Sequence, residues 1–324
     1  MLFIEKYQNS FIKYLEEYTV YREPKGLYEP ITYILNLGGK RLRPVLTLMT
    51  ADIFNIDYNK ALDAALSIEV FHNFSLVHDD IMDDAPLRRG KTTVHEKWNI
   101  NTGILSGDAM LIMAYQLFEN YEPQVFQALA QLFSKTALQV CEGQQYDVDF
   151  ETRSDVTIPE YLNMIEYKTA VLVATAMKMG AIVAHASVED QEGVYQFGRY
   201  LGIAFQLQDD YLDAFGTPET FGKQIGGDII ENKKTFLYLK ALEHASKEDK
   251  ILLEDLFSKN LDDNTNKIEV VKQLFTSTGA TTLTKQEIEH YTNKAFQVLD
   301  TLNIPSNKKD MLKLFGENLM RRTV

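Results

Sequence analysis

A single cysteine, Cys141, is all the thiol chemistry available to the chain. That excludes an internal disulfide framework and a cysteine-rich metal site, and it is consistent with a reducing compartment. Free cysteine behaves as a small hydrophobe, so Cys141 is expected inside the core. Proline and glycine are also scarce, 8 and 17 in 324 residues, so few positions interrupt a helix and long helices are favoured. Positive charge is in deficit. The formal net charge of -13 argues against a general nucleic-acid or anionic-membrane surface, which would need a basic patch. Nowhere is there the run of about 18 apolar residues that a spanning helix requires. The start, MLFIEKYQNSFIKYLEEY, has no positive segment followed by an apolar one. A cytoplasmic, soluble protein without stable membrane insertion is expected. No Pro/Gly/Ser-rich linker, internal repeat or low-complexity tract divides the sequence, so residues 1–324 are expected to form one domain.

What the chain does have is helical periodicity. Apolar residues recur at Ile4, Tyr7, Phe11 and Tyr14, and again at Leu62, Leu66, Val70 and Phe74, while period-two alternation is rare. Two stretches, Gly103–Phe118 and Ala170–Ala186, are apolar nearly all round and are expected to be buried among other helices. The polar stretch Ser258–Asn266 reads as a surface loop. Ten or more helices with short connections imply an all-α bundle, with sites built from side chains on facing helices.

The sharpest chemical signal is LVHDDIMDDAPLRRGK, which places Asp79, Asp80, Asp83 and Asp84 within six residues at the end of an apolar helical run. On a helix Asp79 and Asp83 share one face, where like charges repel by roughly 0.2–0.5 kcal/mol unless a cation intervenes. Carboxylates are hard oxygen ligands suited to magnesium. One such cluster could be a solvated helix end. The segment FQLQDDYLDAFG repeats the pattern as Asp209, Asp210 and Asp213, again after an apolar run, and two are hard to explain that way. Facing carboxylate pairs could hold several magnesium ions whose open positions a diphosphate fills. Cations suited to an anion stand near: Arg88 and Arg89 after the first cluster, and Lys40, Arg41 and Arg43 in GGKRLRP. His72 lies seven residues before Asp79, two helical turns along the same face.

These motifs resemble those of the trans-isoprenyl diphosphate synthases, the family of farnesyl and geranylgeranyl diphosphate synthases. Asp79-Asp80-Ile81-Met82-Asp83 and Asp209-Asp210-Tyr211-Leu212-Asp213 match its DDxxD pair, and GGKRLRP, LRRGKTTVH, SGDAMLIMA, EYKTA and FQLQDD follow in the family's order. The resemblance implies a large single-domain helical bundle of the isoprenoid synthase type with a central active-site cavity. It implies condensation of isopentenyl diphosphate with an allylic diphosphate, dependent on magnesium, with three ions when substrate is bound. Asp79, Asp83 and Asp209 would hold the ions, with Asp80, Asp84, Asp210 and Asp213 acting mainly through water and neighbouring ligands. Lys40, Arg43, His72 and Arg89 would bind isopentenyl diphosphate. Arg88, Lys168, Lys223 and Lys233 would contact the allylic diphosphate, with Thr169, Gln206 and the Lys168 carbonyl near the developing carbocation. The family usually has glycine before the lysine of its late G-K-x-T element, where this chain has Asn232-Lys233-Lys234-Thr235. Phe74 and Ser75, with Phe71 as a further stop, match the positions that limit product length and point to C20 ahead of C15. A homodimer is implied as well. A terpene cyclase would lose the use of the second motif and of Lys40, Arg43 and His72. A silent subunit of a hetero-oligomeric prenyltransferase typically loses one carboxylate motif, and both are present here.

Overall fold

The computed structural model describes residues 2–20, 22–217, 225–259 and 263–321. Apart from one two-residue hairpin, the secondary structure of these residues is helical, as the scarcity of helix breakers requires. None of the described helices is long and apolar enough to cross a membrane. The chain falls into two compact units, one of residues 1–135 and 175–192, the other of residues 136–174 and 193–324.

The first unit is organised around helix α4 (Leu62–Met82), which packs against α3 (Leu42–Ile53) and α6 (Ile100–Gln116). Its core side includes Ala64, Ala65, Ile68 and Val70, all fully buried. The periodic residues Tyr7 and Phe11 of α1 (Leu2–Tyr18) are fully buried, and the Tyr7 hydroxyl donates to Asp52 at 2.6 Å. Between α2 (Lys25–Leu35) and α3 the chain turns through Gly38 and Gly39, with Arg41 in the left-handed region at φ 50° as the residue that begins α3. Strands β1 (Leu87–Arg88) and β2 (Lys91–Thr92) pair antiparallel around Arg89 and Gly90, whose φ values of 52° and 71° suit the tight mirror-image hairpin turn.

The second unit has a core that includes Tyr161, Ile165, Ala170, Leu207, Phe236 and Phe275. Helix α8 (Ile158–Ile165) starts on a reciprocal cap in which Thr157 and Glu160 satisfy each other's backbone N–H groups. It runs directly into a π turn, Glu166–Ala170, and then into α9 (Val171–Val183). The long helices α7 (Pro123–Thr152), α9 and α10 (Val188–Phe215) each contain one of the unit boundaries. A short helix α11 (Gly227–Ile230) follows later in the second unit.

Three expectations are corrected or qualified. Cys141 is exposed on α7 rather than buried. The all-round apolar reading holds for α9, where every residue but Lys178 is buried, but not for α6. That helix turns Gly103, Ser106, Gly107 and Met110 inward and leaves Ile104, Leu105 and Ile112 at 43%, 60% and 58% exposure. Uniform hydrophobicity does not distinguish a helix enclosed within its own chain from one with an uncovered apolar face. Thr265 and Asn266 of the expected late loop instead open helix Thr265–Ser277, while Asn260–Asp262 lie outside the described residues.

Candidate active site

Each unit carries one aspartate motif. In the first, Asp79 occupies the last turn of α4 and Asp83 is the residue that ends it. Asp80 points inward and is 1% exposed, held by Arg88, whose Nε donates to Asp80 Oδ1 at 2.6 Å while Nη2 reaches Asp79 Oδ2 at 3.4 Å. Burial pushes the Asp80 carboxyl up, with Arg88 opposing. Asp80 Oδ2 is buried without a hydrogen-bond partner in the protein, the kind of oxygen that a cation or ordered water satisfies.

Beside this motif the expected anion-binding cations gather. Arg43 donates from Nη1 to His72 Nε2 at 3.2 Å. Burial, then Arg43, Arg89, Arg88 and Arg41, hold the His72 imidazole well below its usual range. Because a guanidinium can only donate, Nε2 carries the lone pair and Nδ1 the proton. Arg89 donates to the carbonyl of Gly38. Gly39, at φ 123°, makes that possible, since a Cβ there would lie 2.9 Å from the Arg89 guanidinium carbon. Lys40 is exposed at the same turn. Arg41, grouped with these cations by sequence, is buried instead: it pairs with Glu69 and donates to the Leu35 carbonyl, anchoring the turn from inside.

The depressed His72 has a thermodynamic signature. Its folded pKa lies below the unfolded value of about 6.5, so the unfolded chain takes up the proton first as pH falls. The stability contributed by neutral His72 is therefore complete above about pH 6.5 and declines below it. Melting temperatures measured from pH 7 to 5 should fall less steeply in His72→Gln than in the parent. Parallel slopes would show that His72 titrates normally.

Phe71 is buried in an aromatic cluster, its ring centroid 5.4 Å from Phe74 and 5.0 Å from Phe133, which also meets Tyr115 and Phe118. Phe74 is only half-buried and touches the His78 ring at 4.8 Å. The Ser75 hydroxyl donates back to the His72 carbonyl at 2.8 Å.

In the second unit the π turn presents Lys168 and Thr169. Lys168 Nζ bonds Asp147 Oδ2 at 2.5 Å. Thr169 donates to Gln206 Oε1 at 2.9 Å, and Gln206 donates in turn to Asp210 Oδ1 at 2.8 Å, while the Tyr161 hydroxyl donates to Asp210 Oδ2. These residues line a cavity together with Asp228 and Lys233. Burial pushes Asp210 up to about 6 and Asp228 well above the usual carboxylate range, with Asp210 and Asp213 adding to the rise at Asp228. Asp213 accepts from the Asp228 N–H at 3.0 Å and so also fixes the start of α11. Asp209, on the same helix turn, is half-buried. Burial opposes the charge on Lys233, but Asp147, Glu231 and Asp228 outweigh it and hold its pKa up. Asn232 stands at φ 59°, the left-handed conformation in which asparagine most readily replaces glycine, so the departure from the G-K-x-T element leaves the backbone course available.

The polyprenyl synthetase family model matches residues 24–277. That range is more than half of the chain. The chain belongs to the polyprenyl synthetase family. Among curated relatives, the geranylgeranyl diphosphate synthase of Methanosarcina mazei is 36% identical over 302 residues, 93% of this chain and 91% of that protein. The heptaprenyl diphosphate synthase component 2 of Bacillus subtilis is 33% identical over 287 residues, 88% of this chain and 80% of that one. A crystal structure of a geranylgeranyl pyrophosphate synthase is 52% identical with a TM-score of 0.95, covering 99% of both chains.

As a polyprenyl synthetase, the chain has the all-α isoprenoid synthase fold expected from its motifs. Of the expected site residues, Lys223 lies outside the described residues. Sequence reasoning missed Asp147, Tyr161 and Asp228. Asp228 had a signal, an aspartate directly after paired glycines in the stretch between the second motif and Lys233. The other two sit in ordinary helical sequence and become visible only through what they touch.

Proposed function

We propose that this polyprenyl synthetase condenses isopentenyl diphosphate with an allylic diphosphate to give a short all-trans isoprenyl diphosphate, C20 ahead of C15. The observation that carries the reading is that Arg43 bonds a half-buried, neutral His72 and Arg89 adds its charge there, beside a separate aspartate motif that already has Arg88 as its own cation. Such crowding of cations calls for an anion of its own, distinct from the diphosphate that the carboxylates would hold through metal. A terpene cyclase, with one diphosphate, would have no use for it.

Arg43, Lys40 and Arg89 would grip isopentenyl diphosphate, and the His72 Nδ1–H would add a neutral donor. Asp79, Asp83 and Asp209 would hold magnesium, three ions with substrate bound, with Asp80, Asp210 and Asp213 orienting water and neighbouring ligands. The fit is supported by the unmet Asp80 oxygen and by the raised Asp210 and Asp228, whose repulsion a cation relieves. Bound magnesium supplies positive charge at the leaving diphosphate. Lys168, Lys233, Arg88 and Lys223 would stabilise that same charge as the allylic C–O bond breaks and its electron pair leaves with the diphosphate. The Thr169 hydroxyl donates its hydrogen bond to Gln206 Oε1, which leaves its oxygen lone pairs available to the carbocation. The double bond of isopentenyl diphosphate then forms the new C–C bond, and a proton is lost to the departed diphosphate. No protein general base is assigned.

Purified protein with isopentenyl diphosphate, dimethylallyl diphosphate and magnesium should yield a C20 product by mass spectrometry. Absence of any condensation product would overturn the reading. Half-exposed Phe74, backed by Phe71 and Phe133, is proposed as the floor that stops growth. Phe74→Ala should release products at least one five-carbon unit longer, and an unchanged distribution in a folded, active variant would reject it.

We further propose a cytoplasmic homodimer. The exposed Ile104, Leu105 and Ile112 face of α6 supports a second copy as its cover. Light scattering should give twice the chain mass. We also propose that the two units make one domain, since the boundaries between them fall inside helices.

A further inference from the structure

We propose that Asp84, His95 and Glu96 form a second cation site, selective for a first-row transition ion such as zinc and separate from the magnesium assigned to the aspartate motifs. The inference does not depend on the reaction proposed above.

One potential ligand atom from each of the three residues lies within 4.8 Å of the other two. His95 and Glu96 belong to the four-residue helix α5 (Val94–Lys97) that follows the hairpin, and Asp84 follows Asp83 at the end of α4. His95 Nε2 is 3.8 Å from Glu96 Oε1. The decisive residue is His95. Its side chain is 3% exposed, and neither ring nitrogen has a hydrogen-bond partner. A buried polar side chain normally finds a partner, so two unmet nitrogens in one buried ring point to a ligand.

The two carboxylates supply what the histidine lacks. Asp84 is exposed and Glu96 is 51% exposed, so both can change rotamer without disturbing the core. Closing to about 2.0–2.2 Å from a common ion is a small movement for side chains already this near one another. One imidazole and two carboxylates make a borderline donor set, which suits zinc, cobalt or manganese. Magnesium prefers all-oxygen octahedral surroundings. Three protein ligands leave a fourth position for water.

Asp84 also stands at φ 49°, so its backbone course is one that few residues adopt, and it adjoins the first aspartate motif. An ion at this site would tie the segment after the Arg88–Arg89 hairpin to the end of α4. That link would fix where Asp83 and Arg88 stand relative to each other.

The test titrates the full chain with cobalt in excess magnesium, which occupies the all-carboxylate positions, and follows visible ligand-field absorption. One equivalent should bind and be displaced by zinc. In Asp84→Asn/Glu96→Gln, two exposed changes that spare the core, affinity should fall about tenfold or more. His95→Ala should abolish the band; should that buried change unfold the chain, the exposed double variant decides. Unchanged cobalt binding in the double variant overturns the site, as does the absence of any cobalt band in the parent. So does a band lost in Asp79→Ala yet kept in the double variant, which would put the ion in the aspartate motif.

Discussion

Asp79→Ala and Asp209→Ala each lower turnover by about 10²-fold or more while the helical circular dichroism spectrum stays that of the parent. The size follows from what each carboxylate does in the proposed reaction. The developing charge sits on the leaving diphosphate, and the residues that hold compensating cations there act mainly in the transition state, so their loss appears in kcat. Asp79 also accepts a long contact from Arg88 Nη2 at 3.4 Å, but Arg88 stays held to Asp80 at 2.6 Å, so what its replacement removes is charge. Asp209 is half-buried and is not a partner in the Tyr161 and Gln206 bonds that hold Asp210, so its replacement removes charge while leaving those bonds in place. Steady-state kinetics with saturating magnesium, repeated in excess chelator, checks both. Near-parental kcat in either variant, or full activity without divalent cation, would refute the metal assignment.

The second large effect comes from a residue with no functional group. Gly143 of α7 lies against the π turn so closely that a Cβ there would stand 2.3 Å from the Lys168 nitrogen, 2.7 Å from the Tyr167 carbonyl carbon and 2.8 Å from the Lys168 Cα. All three are backbone atoms and cannot rotate away, so Gly143→Ala must push the two segments apart. Overpacking of this kind costs about 1–3 kcal/mol. Displacement of about 1 Å at a reacting centre costs about 10²-fold. The expected result is a lower melting temperature together with a turnover loss approaching that of Lys168→Ala. Parental kinetics in Gly143→Ala would mean that the spacing between α7 and the π turn does not set the position of Lys168.

Much of this was legible from sequence because it rests on local pattern. Helical periodicity, the paired aspartate motifs and the clustered cations are all written within short windows, and the helices Leu62–Met82 and Val188–Phe215 carry the motifs at their ends as expected. What escaped depends on contacts far apart in the chain. Arg41 looked like its neighbours Lys40 and Arg43 until burial against Glu69 separated them. Tyr161 reaches Asp210 across 49 positions and Asp147 reaches Lys168 across 21, distances over which no pattern of residue types survives. The exposure of Cys141 and of one side of α6 was hidden for another reason: hydropathy reports what a side chain tolerates, and only packing reports what it receives.

The turn at Glu166–Ala170 carries a consequence for how such chains can change over time. A π turn holds one more residue than the regular helix it interrupts, so the surplus is itself heritable. Deleting any one of those five residues would let the segment close into ordinary α-helix with the flanking helices kept nearly in register, because the wide turn is what absorbs the surplus. The damage would be local: Lys168 and Thr169 would lose the wide turn that presents them to Asp147 and Gln206 although neither had been substituted. Lineages can therefore exchange side chains in EYKTA more safely than they can shorten it, and here a one-residue gap is a graver lesion than most replacements.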